Sequence, residues 1–258
     1  MKRPFDRTVP MAGIIIPIFV VIGMLTALPN ARPVLAQCTA LSPGDCRPET
    51  RYPKDFAFTQ SETYWTVVGV VPTQGDDKDV YLFDGCVTGW GLAGSTGTSG
   101  TECIVGDFNH NPLGTYYPQS LYGDTLATYN VYWNEGGTVF PIGIPVEQTL
   151  GGSGTGCNMI YVWDVFLEIG PEYMITWNPP PGVEANVALF RNPGAEEYWA
   201  PRNDAEFEIA TSGSTSYIAP ADDWYGLVVF TTWNTSTPGN FDIEIDKIND
   251  CRSLTTGN

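Results

Sequence analysis

Two short acidic stretches hold the residues of this chain best suited to chemistry. Asp76, Asp77 and Asp79 stand just ahead of an apolar run, and Asp107, Asn109 and Asn111 alternate along a turn. Each stretch offers hard oxygen ligands of the kind calcium takes. The second opens like an EF-hand loop, but Pro112 stands where that loop needs glycine and Pro118 where it needs a bidentate glutamate. It is therefore no EF-hand, and a network of Asx turns is the competing reading. Calcium is the only cofactor these residues suggest, at Asp76, Asp77, Asp79, Asp107 and Asn109.

Catalytic groupings are sparse. His110 is the only histidine, which excludes the H-E-x-x-H motif and His-rich metal centres. It lies in a turn between Asn109 and Asn111-Pro112, and no G-x-S-x-G elbow accompanies it, so a Ser–His–Asp triad is not expected. Glu196-Glu197 beside Tyr198-Trp199 is the best local carboxylate pair for glycoside hydrolysis. Adjacent strand residues point to opposite faces, so these two would not act as one acid/base couple. Three tryptophans, Trp90, Trp199 and Trp233, lie in Gly-, Pro- or Asn-rich segments rather than clean strands. Rings so placed can stack on sugars or a partner, or can plug the ends of a β-sandwich. Asn234-Thr235-Ser236 is a glycosylation sequon.

The elements that must position these residues are strands. Val80 to Phe83, Thr115 to Tyr117 and Thr128 to Trp133 are short, β-branched or aromatic, and bounded by Gly, Pro and Asn turns. In the last of them Tyr129, Val131 and Trp133 share one face and Asn130, Tyr132 and Asn134 the other, the pattern of a half-buried strand. A looser second copy follows in Val187 to Phe190, Asp222 to Phe230 and Asn240 to Asp246. Pairing Tyr64 with Tyr173, Asp79 with Asn186, Tyr117 with Tyr225 and Tyr129 with Phe241 gives separations of 107 to 112 residues. No stretch carries a 3.6-residue apolar period, so the chain is expected to be all-β, with two tandem antiparallel, jelly-roll-like sandwiches. The expected divisions are 1–36, a signal peptide; 37–51, a Cys-bearing lead-in; 52–137, the first repeat; 138–156, a Gly/Pro-rich linker closing in GGSGTG; 157–251, the second repeat; and 252–258, a tail.

The amino terminus carries Lys2, Arg3 and Arg7 before an apolar run from Met11 to Leu28, with Val34-Leu35-Ala36 ahead of an expected cleavage after Ala36. A retained anchor and a lipoprotein at Cys38 are the rival fates; Pro17 and Gly23 oppose the first, Gln37 the second. Cleavage would remove Lys2, Arg3, Arg7 and Arg32 together with Asp6, taking the formal charge from −17 to −20. So negative a chain excludes nucleic acid as a partner. Six cysteines, Cys38, Cys46, Cys86, Cys103, Cys157 and Cys251, would remain, an even set suited to an oxidising compartment. Six allow 15 pairings; proximity and repeat position favour Cys38 with Cys46, Cys86 with Cys103, and Cys157 with Cys251.

Asp77, Asp79, Val80, Tyr81, Leu82, Phe83 and Asp84, followed by Gly114, Thr115, Tyr116 and Tyr117, give the chain a motif that resembles the bacterial pre-peptidase C-terminal domain family (PPC-like) across roughly Tyr52 to Cys251. The resemblance implies compact β-sandwich modules that trail secreted enzymes and help them hold insoluble or cell-surface substrates, some with calcium in their acidic loops. The second copy departs from the motif, with Glu184-Ala185-Asn186 and Arg191 where acids should stand. These 258 residues carry no recognisable peptidase segment.

The expectation is a secreted, non-catalytic binding or adhesion module at the cell exterior. Its partner would be an extracellular polymer or a cell-surface protein or glycan, with no membrane contact after cleavage. The alternatives are a self-assembling surface or fibre subunit, whose partners are copies of itself, and a secreted hydrolase or an accessory to one.

Overall fold

The computed structural model describes residues 38–49, 54–86, 89–98, 100–121, 128–152, 158–194 and 196–248. The expected signal segment, the tail and the proposed Cys157–Cys251 pair lie outside them. The chain is all-β. In order the strands are β1 (Thr39–Ala40), β2 (Asp45–Glu49), β3 (Lys54–Gln60), β4 (Trp65–Pro72), β5 (Asp79–Phe83), β6 (Gly91–Ser95), β7 (Glu102–Asp107), β8 (Gly114–Leu121) and β9 (Tyr129–Glu135). They continue with β10 (Val146–Leu150), β11 (Ile160–Leu167), β12 (Glu172–Asn178), β13 (Ala185–Phe190), β14 (Trp199–Pro201), β15 (Phe207–Ile209), β16 (Gly213–Ile218), β17 (Asp223–Thr231) and β18 (Gly239–Ile248). Among the described residues the only helical element is a single 3-10 turn, Arg202–Asp204.

The strands make four sheets: β1-β3-β8-β5-β6 (sheet I), β14-β7-β4-β9-β2 (sheet II), β11-β17-β13-β15 (sheet III) and β10-β18-β12-β16 (sheet IV). The repeat is visible in the order. β3-β8-β5-β6 matches β11-β17-β13-β15, and β7-β4-β9-β2 matches β16-β12-β18-β10. Two segments that sequence reads as connections are thereby the same part of each repeat. The lead-in carries β2, which pairs with β9, and the supposed linker carries β10, which pairs with β18. Phe140 and Leu150 of that supposed linker are buried in the second repeat's core. Their Gly- and Pro-rich surroundings conceal the strand because β10 is an edge strand, half of which faces solvent.

Three apolar layers hold the sheets together. Phe56, Phe58, Val68, Val80, Leu82, Val131 and Trp133 fill the space between sheets I and II. Ile175, Trp177, Val187, Leu227, Phe241, Ile243 and Ile245 do the same between sheets III and IV. The middle layer joins the repeats: Trp65, Val67 and Val105 from sheet II meet Ile160, Val162, Phe190 and Val228 from sheet III. Sheets II and III are therefore covered on both faces, which is why β4 (WTVVGVVP), β13 (ANVALF) and most of β17 read as unbroken apolar runs. The face of β9 that carries Asn130 and Tyr132 is buried too, against the half-buried expectation, because sheet III lies over it. β18 borders solvent and keeps its alternation, with Phe241, Ile243 and Ile245 inside and Asp242 and Asp246 exposed.

Trp65 is the rivet of the middle layer. It is fully buried, its backbone N–H donates to Asp164 Oδ1 at 2.9 Å, and its indole N–H reaches the Trp224 carbonyl at 3.2 Å. A side chain at Gly226 would come within 2.5 Å of the Trp65 ring, so the β17 backbone can lie against the indole only without one. The described residues belong to one compact unit.

The cysteines depart from the expected pairing. Cys38 is bonded to Cys86, with Cα atoms 6.2 Å apart, so neither the Cys38–Cys46 nor the Cys86–Cys103 pair exists. Cys46 is disulfide-bonded elsewhere, and Cys103 is a free, buried thiol. The cause is topological. Cys38 precedes β1 and Cys86 follows β5, both strands of sheet I, whereas Cys103 lies on β7 with its side chain in the layer between sheets II and III. Among the described residues no helix is long and apolar enough to cross a membrane.

Candidate functional site

The acidic turn before β5 contains its own cation. Lys78 is completely buried, with its ammonium 2.9 Å from Asp76 Oδ2 and 5.8 Å from the centroid of the Tyr129 ring. Asp79 is buried beside it, and desolvation, reinforced by the charge of Asp77, raises its carboxyl above the ordinary range. Sequence reading overlooked Lys78 because a lysine among aspartates reads as a solvated surface charge.

Asp107 is the centre of a clasp between the repeats. Its Oδ1 accepts from the backbone N–H and side-chain amide of Asn109, both at 3.0 Å. Its Oδ2 lies 2.6 Å from His110 Nδ1 and accepts from Asn192 Nδ2 of the second repeat at 3.0 Å. Asn111 adds a reciprocal pair with Tyr198, donating to its carbonyl at 2.8 Å and accepting its N–H at 2.5 Å. These are bonds of an Asx-turn network. The only histidine thus serves the clasp, and Glu196 and Glu197 are exposed on the loop of the second repeat that carries Asn192 and Tyr198. Among the described residues no group of three or more His, Cys, Asp or Glu side chains is arranged to hold a metal ion.

A second clasp lies at the opposite end of β7. Thr101 Oγ1 donates to the Thr231 carbonyl at 2.5 Å, and Arg202 donates to the Thr101 carbonyl at 2.9 Å while pairing with Glu208 and covering the Phe230 ring at 4.8 Å. Glu102, buried beside these groups, accepts from Ser95 Oγ; burial raises its carboxyl. Asp164 is the third buried acid at the seam. Desolvation pushes it up to about 6 despite hydrogen bonds from the Trp65 and Gly137 backbone.

The three tryptophans separate. Trp199 lies on β14, which leaves the second repeat to pair with β7 of the first, and its ring packs on Phe108 and Tyr116 at 5.2 and 4.8 Å. It is a packing residue. Trp90 is 83% exposed on the loop before β6. Trp233 lines a groove where the repeats meet, together with Gln74, Val183, Glu184, Asn234 and Thr235, enclosing about 160 Å³. A neighbouring hollow of about 340 Å³ shares Asn234 and is bounded by Pro48, Thr73, Thr128, Asn130, Gly152 and Ser236.

The groove walls are held from both sides. The Trp233 indole N–H donates to Glu184 Oε2 at 2.9 Å, the Thr232 N–H donates to the Glu184 carbonyl at 2.8 Å, and the Asn234 N–H reaches the Pro72 carbonyl of the first repeat at 2.8 Å. The glycines opening GGSGTG brace the same loop. Gly152 N–H donates to the Thr235 carbonyl at 3.1 Å, and Gly151, at φ +87°, would bring a side chain within 2.6 Å of the Thr237 carbonyl. Of the groove residues sequence reasoning singled out Trp233 as a possible ligand contact and Asn234, Thr235 and Ser236 only as a sequon. Gln74, Glu184 and Asn130 come together through folding of the two repeats on each other, and no local spacing announces that.

Fold and site together define an all-β protein of two stacked sandwich repeats with a polar groove at their junction. No family model and no curated protein matches the chain. Among solved structures, the insecticidal delta-endotoxin Cry8Ea1 from Bacillus thuringiensis aligns at 9% identity and a TM-score of 0.19, covering 77% of this chain and 54% of that one. The chain thus spans about half the length of that toxin.

Proposed function

We propose that the chain is a secreted, non-catalytic binding or adhesion module that holds an extracellular polymer or cell-surface glycan or protein. The observation that carries this reading is the groove at the repeat junction. Loops of both repeats converge there around Trp233, and interfaces between structural units are common sites for ligand recognition. The Cys38–Cys86 disulfide fits an oxidising compartment, in keeping with the apolar N-terminal run. The resemblance to PPC-like modules points the same way. Self-assembly by donation of the lead-in is the weaker reading, because β1 and β2 already pair with β3 and β9 of their own chain and Cys38 is tied to Cys86.

The test is retention of the natively secreted protein on insoluble extracellular polymers and on intact cells of its source, followed by sedimentation. Saturable retention supports the reading. A protein that binds none of these, or that hydrolyses one of them and loses that activity when a single carboxylate is replaced, contradicts it.

A further inference from the structure

The groove's chemistry narrows the ligand. The polar side chains that line it are the amides of Gln74, Asn130 and Asn234, the hydroxyls of Thr73, Thr128, Thr235 and Ser236, the carboxylate of Glu184 and the indole of Trp233. Among the described residues no lysine or arginine lines either hollow. An anionic ligand would meet a carboxylate, no counter-charge among those residues, and a chain of net charge −17. A purely apolar ligand would bury amide and hydroxyl groups without partners. What remains is a neutral molecule rich in hydroxyls, with an apolar face to lie against an indole. Amides both donate and accept, so they match the mixed donor and acceptor character of a diol, and a carboxylate accepts from two neighbouring hydroxyls. An aromatic face takes up the C–H side of a pyranose ring.

Preorganisation strengthens the case. Glu184 is held by the Trp233 indole N–H, so carboxylate and ring present a fixed pair. The backbone behind them is tied to the first repeat through Asn234 and Pro72, and to the end of β10 through Thr235 and Gly152. Little side-chain or loop freedom is then lost on binding. The two hollows adjoin at Asn234, so a ligand longer than one ring can run from Trp233 toward Asn130.

We propose that the Trp233–Glu184–Asn234–Gln74 groove binds a neutral pyranose oligosaccharide, one ring on the Trp233 indole and the next rings along Asn234. The proposal rests on the binding reading above.

The experiment titrates the full secreted chain with hexasaccharides of glucose, mannose and N-acetylglucosamine, and with oligogalacturonate as the anionic probe, followed by calorimetry and tryptophan fluorescence. At least one neutral hexasaccharide binds, and oligogalacturonate does not. Trp233→Ala weakens binding by about tenfold or more, the scale of one lost stacking contact. Trp233→Phe restores part of it, which separates loss of the ring from loss of the fold. Glu184→Gln weakens binding several-fold while the melting temperature holds. Ile169→Ser, at the other end of β12, leaves binding as it was. Binding indifferent to Trp233→Ala, or binding of oligogalacturonate alone, overturns the proposal. If polymers retain the chain but no neutral hexasaccharide binds, the groove assignment falls and the broader binding reading stands. If nothing retains the chain, the broader reading falls first.

Discussion

Tyr116 and Tyr225 occupy the same place in the two repeats: each donates its phenolic hydroxyl to the carbonyl four residues upstream, Pro112 and Ala221 respectively. The registers agree, since Leu82 pairs with Pro118 as Leu189 pairs with Leu227, two residues further along each strand. Tyr117, the residue sequence reading matched to Tyr225, lies on the opposite face. Each bond pins a loop to the start of a sheet-centre strand, as a tyrosine corner does in other sandwiches. Tyr116→Phe and Tyr225→Phe should each lower stability by about 1 kcal/mol in urea unfolding, and Tyr117→Phe by no more than a few tenths.

Asp164 should make stability depend on pH. Its carboxyl titrates at about 6 when folded, against an ordinary 3.8, because it is buried at the seam. Between those values the folded chain binds the proton more tightly than the unfolded chain. Stability therefore falls as pH rises through that window and stays lower above it. The difference amounts to about 3 kcal/mol at 1.36 kcal/mol per unit. Asp79, Glu102 and Glu135 are raised in the same direction, so the comparison must be with Asp164→Asn, whose stability should fall less between pH 4 and 7.

The cysteine arrangement has a chemical signature. Burial pushes the Cys103 thiol up to about 12, so it should resist alkylation in the native protein and react once the chain is unfolded. Peptide mapping of Cys103→Ala without reduction should still recover Cys38 joined to Cys86.

Lys78 should matter more than any aspartate around it. Lys78→Met leaves the largely buried Asp76 carboxylate without its ammonium and should destabilise the fold by about 3 kcal/mol or more, read by denaturant unfolding. Because that turn carries an internal cation, the wild-type protein should melt at the same temperature in calcium and in chelator.

The sequence discloses what periodicity can carry. Alternation in Phe241, Ile243 and Ile245 placed β18 and its buried face correctly, and the absence of a helical period set the fold class. Pairing between segments distant in sequence left no such trace. Cys86 and Cys103 are near in sequence yet on different sheets, and β10 is hidden among glycines because only one side of it is packed. The unbroken apolar run of β17 could have signalled a sheet covered on both faces, and hence two sandwiches stacked face to face. Trp199 and Trp233 look alike in sequence, and only the fold separates a ring filling a core from a ring lining a groove.

All of this depends on the repeats behaving as one unit, because the groove exists only where they meet. Scanning calorimetry of the full chain tests that most directly. A single transition whose calorimetric enthalpy matches its van't Hoff enthalpy is predicted, and it should move as a whole to lower temperature when Gly226→Val drives a side chain into the Trp65 ring. Two separate transitions in the wild-type chain, with Gly226→Val shifting only the one that belongs to the second repeat, would contradict it.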